Sequence, residues 1–370
     1  MRSELELAQL GQAASAPRRP VRQQKGPPLW WLVAAVAVVL LLAIAYFLFS
    51  SSEPKQVVAA GASSRSIAIS QDGTRLAVGL LDGSLRILNA QNGKTVAINR
   101  SDDPKQPLAA VSAIAFGPGD SVLVLRANQS RLHIFSSDLK SHTERALHPN
   151  PHDLVWSRTL DAALVLAGGP DDLQARIEVF PAHPMGIQRS TSQLLNLITW
   201  SKPKCIAVSQ DGSRIAISYA SKRKLNLLVY DPRARRTAAA LLTAGEPEGL
   251  VLASDGMHLW AASPTAEVVT QAAPFSLSAI QLPKLASTSP PKMIAVNEAL
   301  RRAYTSGSLT FPEISLDQRR ITRTVELPER SAGLVLSPDR STAYLTFEKL
   351  DIVGIVDLKA MRWVGEIQFR

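Results

Sequence analysis

His142, His148 and His152 fall within eleven residues, with His133 upstream and Asp153 adjacent, and imidazoles near a carboxylate are the ligand types that zinc selects. Pro149 and Pro151 interrupt the H-x3-H spacing, so His148 and His152 cannot ride one helical face. The stretch SHTERALHPNPHD therefore reads as a solvated connecting loop rather than a metal centre, and the isolated His183 and His258 read as structural. Cys205 is the single cysteine, which excludes an intramolecular disulfide, a C-x-x-C redox pair and a cysteine-rich zinc module. No G-x-S-x-G elbow, H-E-x-x-H helix, Walker loop or G-x-G-x-x-G turn occurs, and no serine is paired by motif with a histidine and an aspartate. The sequence assigns no catalytic residue, no cofactor and no metal.

Basic clusters are the second set of candidates. The chain carries a net charge of +10, which suits nucleic acid, an anionic membrane surface or an acidic protein. Lys222, Arg223 and Lys224 form one cluster, which is the candidate partner-binding patch, and Arg233, Arg235 and Arg236 form the next. By strand count these two occupy consecutive hairpin turns and point to opposite ends of one sheet, so each is a small patch. Arg301-Arg302, Arg319-Arg320 and Arg323 read in the same way, as solvated turns.

Location narrows the choice. Residues 29–49, LWWLVAAVAVVLLLAIAYFLF, carry no charge, and at 1.5 Å per residue they span about 31 Å, the thickness of a bilayer's hydrocarbon core. Trp30 and Trp31 at one end and Tyr46 and Phe47 at the other are the amphipathic rings that favour the headgroup boundary. Residues 1–28 hold five cations against two acids, which keeps the N-terminus in the cytoplasm. The apolar stretch exceeds the core of a cleavable signal and runs into Ser50-Ser51-Ser52 without an A-x-A site, so the expectation is an uncleaved signal anchor. The expected organisation is a basic tail at 1–28, a transmembrane helix at 29–49, a linker at 50–55 and a folded domain at 56–370. The alanine-rich composition and absent disulfides fit a bacterial envelope, with the domain in the periplasm beyond the inner membrane and no nucleic acid as partner.

The folded part repeats itself. Residues 67–79, IAISQDGTRLAVG, and 206–218, IAVSQDGSRIAIS, share eight identities in 13 positions at an offset of 139, about three periods of 46. Related anchors at Asp72, Asp120, Asp161, Asp211, Asp255, Ala299 and Asp339 follow one another by 48, 41, 50, 44, 44 and 40 residues. Each anchor reads as a hairpin: an alternating apolar strand, a tight turn at Asp72-Gly73, Asp211-Gly212, Asp255-Gly256 or Asp339, and a returning strand. Further turns at Asp82-Gly83 and Gln91 to Lys94 complete four antiparallel strands in the first repeat. Sheets of this kind bury their apolar faces by stacking radially. The expected fold is all-β, a seven-bladed β-propeller of four-stranded blades, with the text at Gln56 to Ala60 available as an extra closing strand.

On Ser70-Gln71-Asp72-Gly73, Ser209-Gln210-Asp211-Gly212, Ser254-Asp255-Gly256 and Ser337-Pro338-Asp339, residues 56–370 resemble the WD40 and YVTN class of β-propellers. The strand ends LLVYDPRARR and IVGIVDLKAMR bring them closer to the YVTN type, since the Gly-His and Trp-Asp dipeptides of strict WD40 blades are absent. The resemblance implies architecture. The leading functional expectation is a membrane-anchored scaffold that binds protein partners in an envelope complex. The rival is a propeller enzyme of lyase or lactonase kind, or a small-ligand sensor, working from the central channel. Polysaccharide binding ranks last, because aromatic residues make up only 5% of the chain.

Overall fold

Three of the anchors close their own turn with two side chains. In the computed structural model, Ser70 Oγ donates to Asp72 Oδ1 at 2.6 Å, and the Thr74 N–H donates to the same oxygen at 3.0 Å. The Arg75 N–H donates to Ser70 Oγ at 2.9 Å, so serine and aspartate together tie residues 70–75 into a loop. The same clasp recurs at Ser209 and Asp211, with Ser213 N–H to Asp211 Oδ1 at 2.9 Å and Arg214 N–H to Ser209 Oγ at 3.0 Å. It recurs at Ser337 and Asp339 as well. Gly73, Gly212 and Gly256 hold φ of 74, 67 and 70°, the left-handed region where glycine carries no steric cost. These hydrogen bonds hold the Asp72 carboxyl at about 2, Ser70 contributing most.

The described residues are 64–100, 108–168, 175–182, 195–197, 202–220, 226–241, 246–263, 268–273, 276–281 and 291–369. The chain divides into two compact units, Met1–Gln56 and Val57–Arg370. The apolar stretch 29–49 with Trp30, Trp31, Tyr46 and Phe47, the candidate patch Lys222-Arg223-Lys224, and the segment Gln56 to Ala60 all lie outside the described residues. Among the described residues no helix is long and apolar enough to cross a membrane.

Burial follows a strand's place in the blade: outer strands such as Thr95–Asn99 and Arg362–Gln368 alternate, whereas second strands such as Val122–Arg126 and Ala162–Ala167 are buried along their whole length, because each blade packs on both faces. Seven four-stranded antiparallel sheets form, each with its strands in chain order, and we number them blades 1 to 7. Their first strands are Ser64–Ile69, Val111–Phe116, Pro151–Ser157, Lys202–Val208, Gly249–Leu252, Ile294–Asn297 and Ser331–Leu336. Each first strand touches those of its two neighbours, and the last touches the first, so these strands line the axis of a closed ring. A buried apolar cluster fills every junction between adjacent blades. Closure itself is a packing event, in which Leu76 and Val78 of blade 1 meet Tyr344, Val353 and Ile367 of blade 7. Blade 7 owns its outer strand, Arg362–Gln368, so the described part of the ring closes without exchanging a strand.

One expectation is corrected here. The stretch read as a solvated loop contains two strands, His142–Ala146 on the outer edge of blade 2 and Pro151–Ser157 on the axis of blade 3. Only four residues link them. The alternation H-T-E-R-A suits an edge strand, and Pro151 stands at the first residue of a strand, where a missing N–H is tolerated.

Antiparallel order places the first and third turns of a blade at one end and the second turn at the other. The first turns also bond to one another around the ring: the Asp211 N–H donates to Ser254 O at 3.1 Å, and the Ser254 N–H donates to Glu298 Oε1 at 3.0 Å. Thr159 Oγ1 donates to Gln210 O, which links blade 3 to blade 4. The molecule therefore has two distinct ends, one made of first and third turns and the other of second turns and inter-blade links.

Candidate functional site

Register on the outer half of blade 2 assembles a polar cluster. His133 on the third strand, Arg131–Phe135, pairs with Glu144 on the outer strand, and Phe135 pairs with His142, so all four side chains share one face. His133 Nδ1 lies 3.3 Å from Glu144 Oε1, and His142 Nε2 lies 3.7 Å from the same oxygen. Arg131 binds the other carboxylate oxygen, Oε2, and this bond draws the Glu144 carboxyl below its usual range. Behind the cluster, His133 Nε2 lies 2.8 Å from Gln129 Oε1. Burial and the nearby Arg126 guanidinium depress the His133 imidazole, which keeps it neutral. Arg126 spans the junction, donating to Gly83 O and to Ala109 O at 3.0 Å, and to Asn99 Oδ1 at 3.2 Å. A cavity of about 570 Å³ opens in front of the cluster, with Asn99, Arg100 and Leu108 closing it from the blade 1 side.

The histidines grouped in the sequence are thus redistributed. His142 meets His133 and Glu144, whereas His148 binds the Arg176 guanidinium through Nδ1 at 3.0 Å and His152 Nε2 bonds Gly168 O at 2.6 Å. His258 stacks on Trp260 with ring centroids 6.0 Å apart, and His183 lies outside the described residues. Glu144 was missed by the sequence reading. Its signal is the i, i+2 spacing of His142 and Glu144, which becomes meaningful only once the segment is a strand.

The central axis is poor in acid. Asp153 is the sole carboxylate on the seven first strands, and it is turned sideways: Oδ2 accepts the Ile206 N–H of blade 4 at 2.9 Å and Oδ1 accepts the Leu154 N–H at 2.8 Å. Burial overrides these bonds and pushes its carboxyl up to about 6. Beside it, burial pushes the Cys205 thiol up, which leaves that thiol unreactive. An acid raised in the fold binds its proton more tightly there than in the unfolded chain. Its penalty is therefore absent below the unfolded value of about 4 and complete above 6. Stability should fall by on the order of 2 kcal/mol as pH rises from 4 to 6.5 through this group. Urea midpoints of wild type and Asp153→Asn across that range check it: the mutant should lack this step, and an identical slope in both would refute the assignment.

A second feature was not visible as a unit in the sequence. Among the described residues, ten that are not glycine hold positive φ. Asp120, Asn128, Asn150 and Asp161 are types that tolerate it, and Leu139 and Met361 bury their side chains. The other four are exposed arginines, Arg235, Arg301, Arg319 and Arg340, at φ of 50 to 59°. All four occupy first or third turns, in blades 4, 6 and 7, and so stand on one end of the ring with Arg233, Arg236, Arg320 and Arg323. The expectation of isolated turn patches is thereby revised for these clusters: the third turn of blade 4 and both such turns of blade 6 share one surface.

No family model and no curated protein matches the chain. Solved structures do. Hydrazine synthase from Kuenenia stuttgartiensis matches over 82% of this chain and 98% of its own, at a TM-score of 0.66 and 15% identity. The Cps50 (Swd1) β-propeller domain from Myceliophteria thermophila matches over 82% of this chain and 96% of its own, at 0.60 and 12% identity. The chain is a β-propeller. At these identities the likeness concerns the propeller scaffold alone, and the side chains of the rim cluster and of the arginine-bearing end must be judged on their own geometry.

Proposed function

We propose that this propeller is a docking scaffold, anchored in a bacterial inner membrane by residues 29–49 and standing in the periplasm, and that it binds an acidic protein surface through the end that carries the arginine turns. The observation that carries the reading is the placement of four exposed arginines at left-handed turn positions on that one end. A left-handed residue other than glycine costs about 1–2 kcal/mol, and in blade 7 Arg340 holds the place that Gly73 holds in blade 1. The turns themselves demand a left-handed residue, as Gly93 and Met361 show in the third turns of blades 1 and 7, so what a binding surface explains is the choice of an exposed arginine over glycine at four of these places. The channel-enzyme reading is weaker, because the single axial carboxylate among the described strands is tied to the neighbouring backbone.

Amine-reactive crosslinking of the full-length protein in gently solubilised membranes tests the proposal, because lysines mark both ends. Lys94, Lys140 and Lys359 lie in third turns on the arginine end, whereas Lys204, Lys292 and Lys349 lie on the other. The expected result is a stoichiometric partner crosslinked to Lys94, Lys140 or Lys359. Recovery of the protein alone, or crosslinks confined to the opposite end, would overturn it.

A further inference from the structure

The rim cluster of blade 2 brings two imidazole nitrogens and one carboxylate oxygen within 4.8 Å of one another. Gln129 presents a carbonyl oxygen to His133 Nε2, so that nitrogen carries the ring proton of the neutral imidazole. Nδ1 is then a bare lone pair, 3.3 Å from a carboxylate oxygen that also carries only lone pairs. His142 Nε2 joins the same oxygen at 3.7 Å, and all three ligand atoms lie within 4.8 Å of one another. Two imidazole nitrogens and a carboxylate oxygen, with His142 free to place its proton on Nδ1, converge as a site for a cation.

We propose that His133 Nδ1, His142 Nε2 and Glu144 Oε1 bind a divalent transition-metal ion of the zinc class, with its fourth position open to the cavity. The separations suit such an ion: bonds of about 2.0–2.1 Å in a tetrahedron put neighbouring ligand atoms about 3.3 Å apart. Two imidazoles and one carboxylate favour zinc over calcium or magnesium, which take oxygen ligands. The surroundings also divide the work as metal sites do. Gln129 fixes the His133 tautomer from behind, and Arg131 holds Glu144 Oε2, leaving Oε1 directed at both rings. Arg126 and Arg131 oppose a cation by their charge, but both guanidiniums are engaged, one on backbone carbonyls and the other on the carboxylate. Their charge favours an anionic fourth ligand, and the cavity of about 570 Å³ bordered by Arg100 gives it room.

The test is titration of Co2+ into the full-length protein, stripped of metal, in detergent and free of any histidine tag. The expected result is one equivalent bound with the visible d–d bands of a tetrahedral ion, displaced by Zn2+. His142 has a side chain 52% exposed, so His142→Ala removes a ligand at the cost of one stacking contact on Phe135, and it should abolish the bands while the far-UV circular dichroism stays that of wild type. Gln129→Ala should weaken Co2+ binding by about 10–100-fold while leaving stoichiometry unchanged. His148→Ala, which lies outside the cluster, should behave as wild type. Absence of stoichiometric uptake, uptake that survives His142→Ala, or uptake lost in His148→Ala would each overturn the assignment. So would wild-type affinity in Gln129→Ala, because the backing of His133 would then be irrelevant.

Discussion

Arg323→Ala should destabilise the folded chain by about 3 kcal/mol at pH 7, the lower end of what breaking a buried ion pair costs. Glu313 explains the size: its side chain is 4% exposed, and Arg323 Nη2 reaches its Oε2 at 2.5 Å while Thr322 Oγ1 donates to Oε1 at 2.7 Å. Burial works to raise the Glu313 carboxyl, but the Arg323 and Thr322 hydrogen bonds win and hold it below the usual range. Arg323 also donates to Lys359 O at 2.9 Å and Leu358 O at 3.3 Å, so the same guanidinium staples blade 6 to blade 7. The estimate stays at the lower end because Arg302 remains 3.6 Å from Glu313 and because Arg323 is itself 41% exposed.

The sign of the pH dependence separates the two contributions. In wild type the depressed carboxyl contributes stability that is present above the ordinary carboxylate value and is lost as pH falls through its folded value. Without Arg323, burial is opposed only by the Thr322 hydrogen bond and the more distant Arg302, and the folded value rises from its depressed position. Acidification then costs the mutant less than it costs wild type. The difference in urea midpoint between wild type and Arg323→Ala should shrink from pH 7 to pH 5, and Glu313→Gln in the Arg323→Ala background should recover about half of the loss by removing the uncompensated charge. An undiminished difference at pH 5 would assign the loss to the carbonyl bonds across the junction.

What could be read from the sequence follows from how local the cause is. The Ser-x-Asp clasp lies within six residues, and so the anchors at Asp72, Asp211 and Asp339 declared the first hairpin of their blades before any tertiary contact was known. The aspartate that ends LLVYD is equally local, since Asp231 Oδ1 accepts the Arg233 and Ala234 N–H groups at 3.0 and 2.9 Å. Blade 6 hides its anchor because Asn297 does the capping there, through the Leu300 N–H at 3.2 Å, and no aspartate stands at Ala299. His133, His142 and Glu144 come together through strand register, which depends on where the third turn of blade 2 falls. Read as loop, HTERALHPNPHD sends attention to His148 and His152. Read as an edge strand, it pairs His142 with Glu144. The arginine end needs one step more, because turns distant in sequence are gathered onto one surface only when the ring closes.

Arg235→Gly, Arg301→Gly, Arg319→Gly and Arg340→Gly, combined in one chain, should make the propeller more stable and less able to dock. Glycine removes about 1–2 kcal/mol of left-handed strain at each turn, and the greater freedom of the unfolded chain takes back about 0.5–1 kcal/mol. Three of the replacements sit in different blades and should nearly add, whereas Arg319 shares a hydrogen-bonded pair of turns with Arg301 through the Leu316 N–H and couples to it; the sum is about 2–4 kcal/mol. The lost Arg301–Asp317 pair subtracts little, because both partners are well exposed. Turn geometry should survive, since Gly93 already occupies in blade 1 the position that Arg235 occupies in blade 4, with its N–H on Asn89 O at 2.9 Å. Crosslinks from Lys94, Lys140 and Lys359 to the partner should disappear while the urea midpoint rises. A lowered midpoint would mean that these arginines support the turns they strain. A raised midpoint with undiminished crosslinking would mean that the strain serves something other than docking at this end.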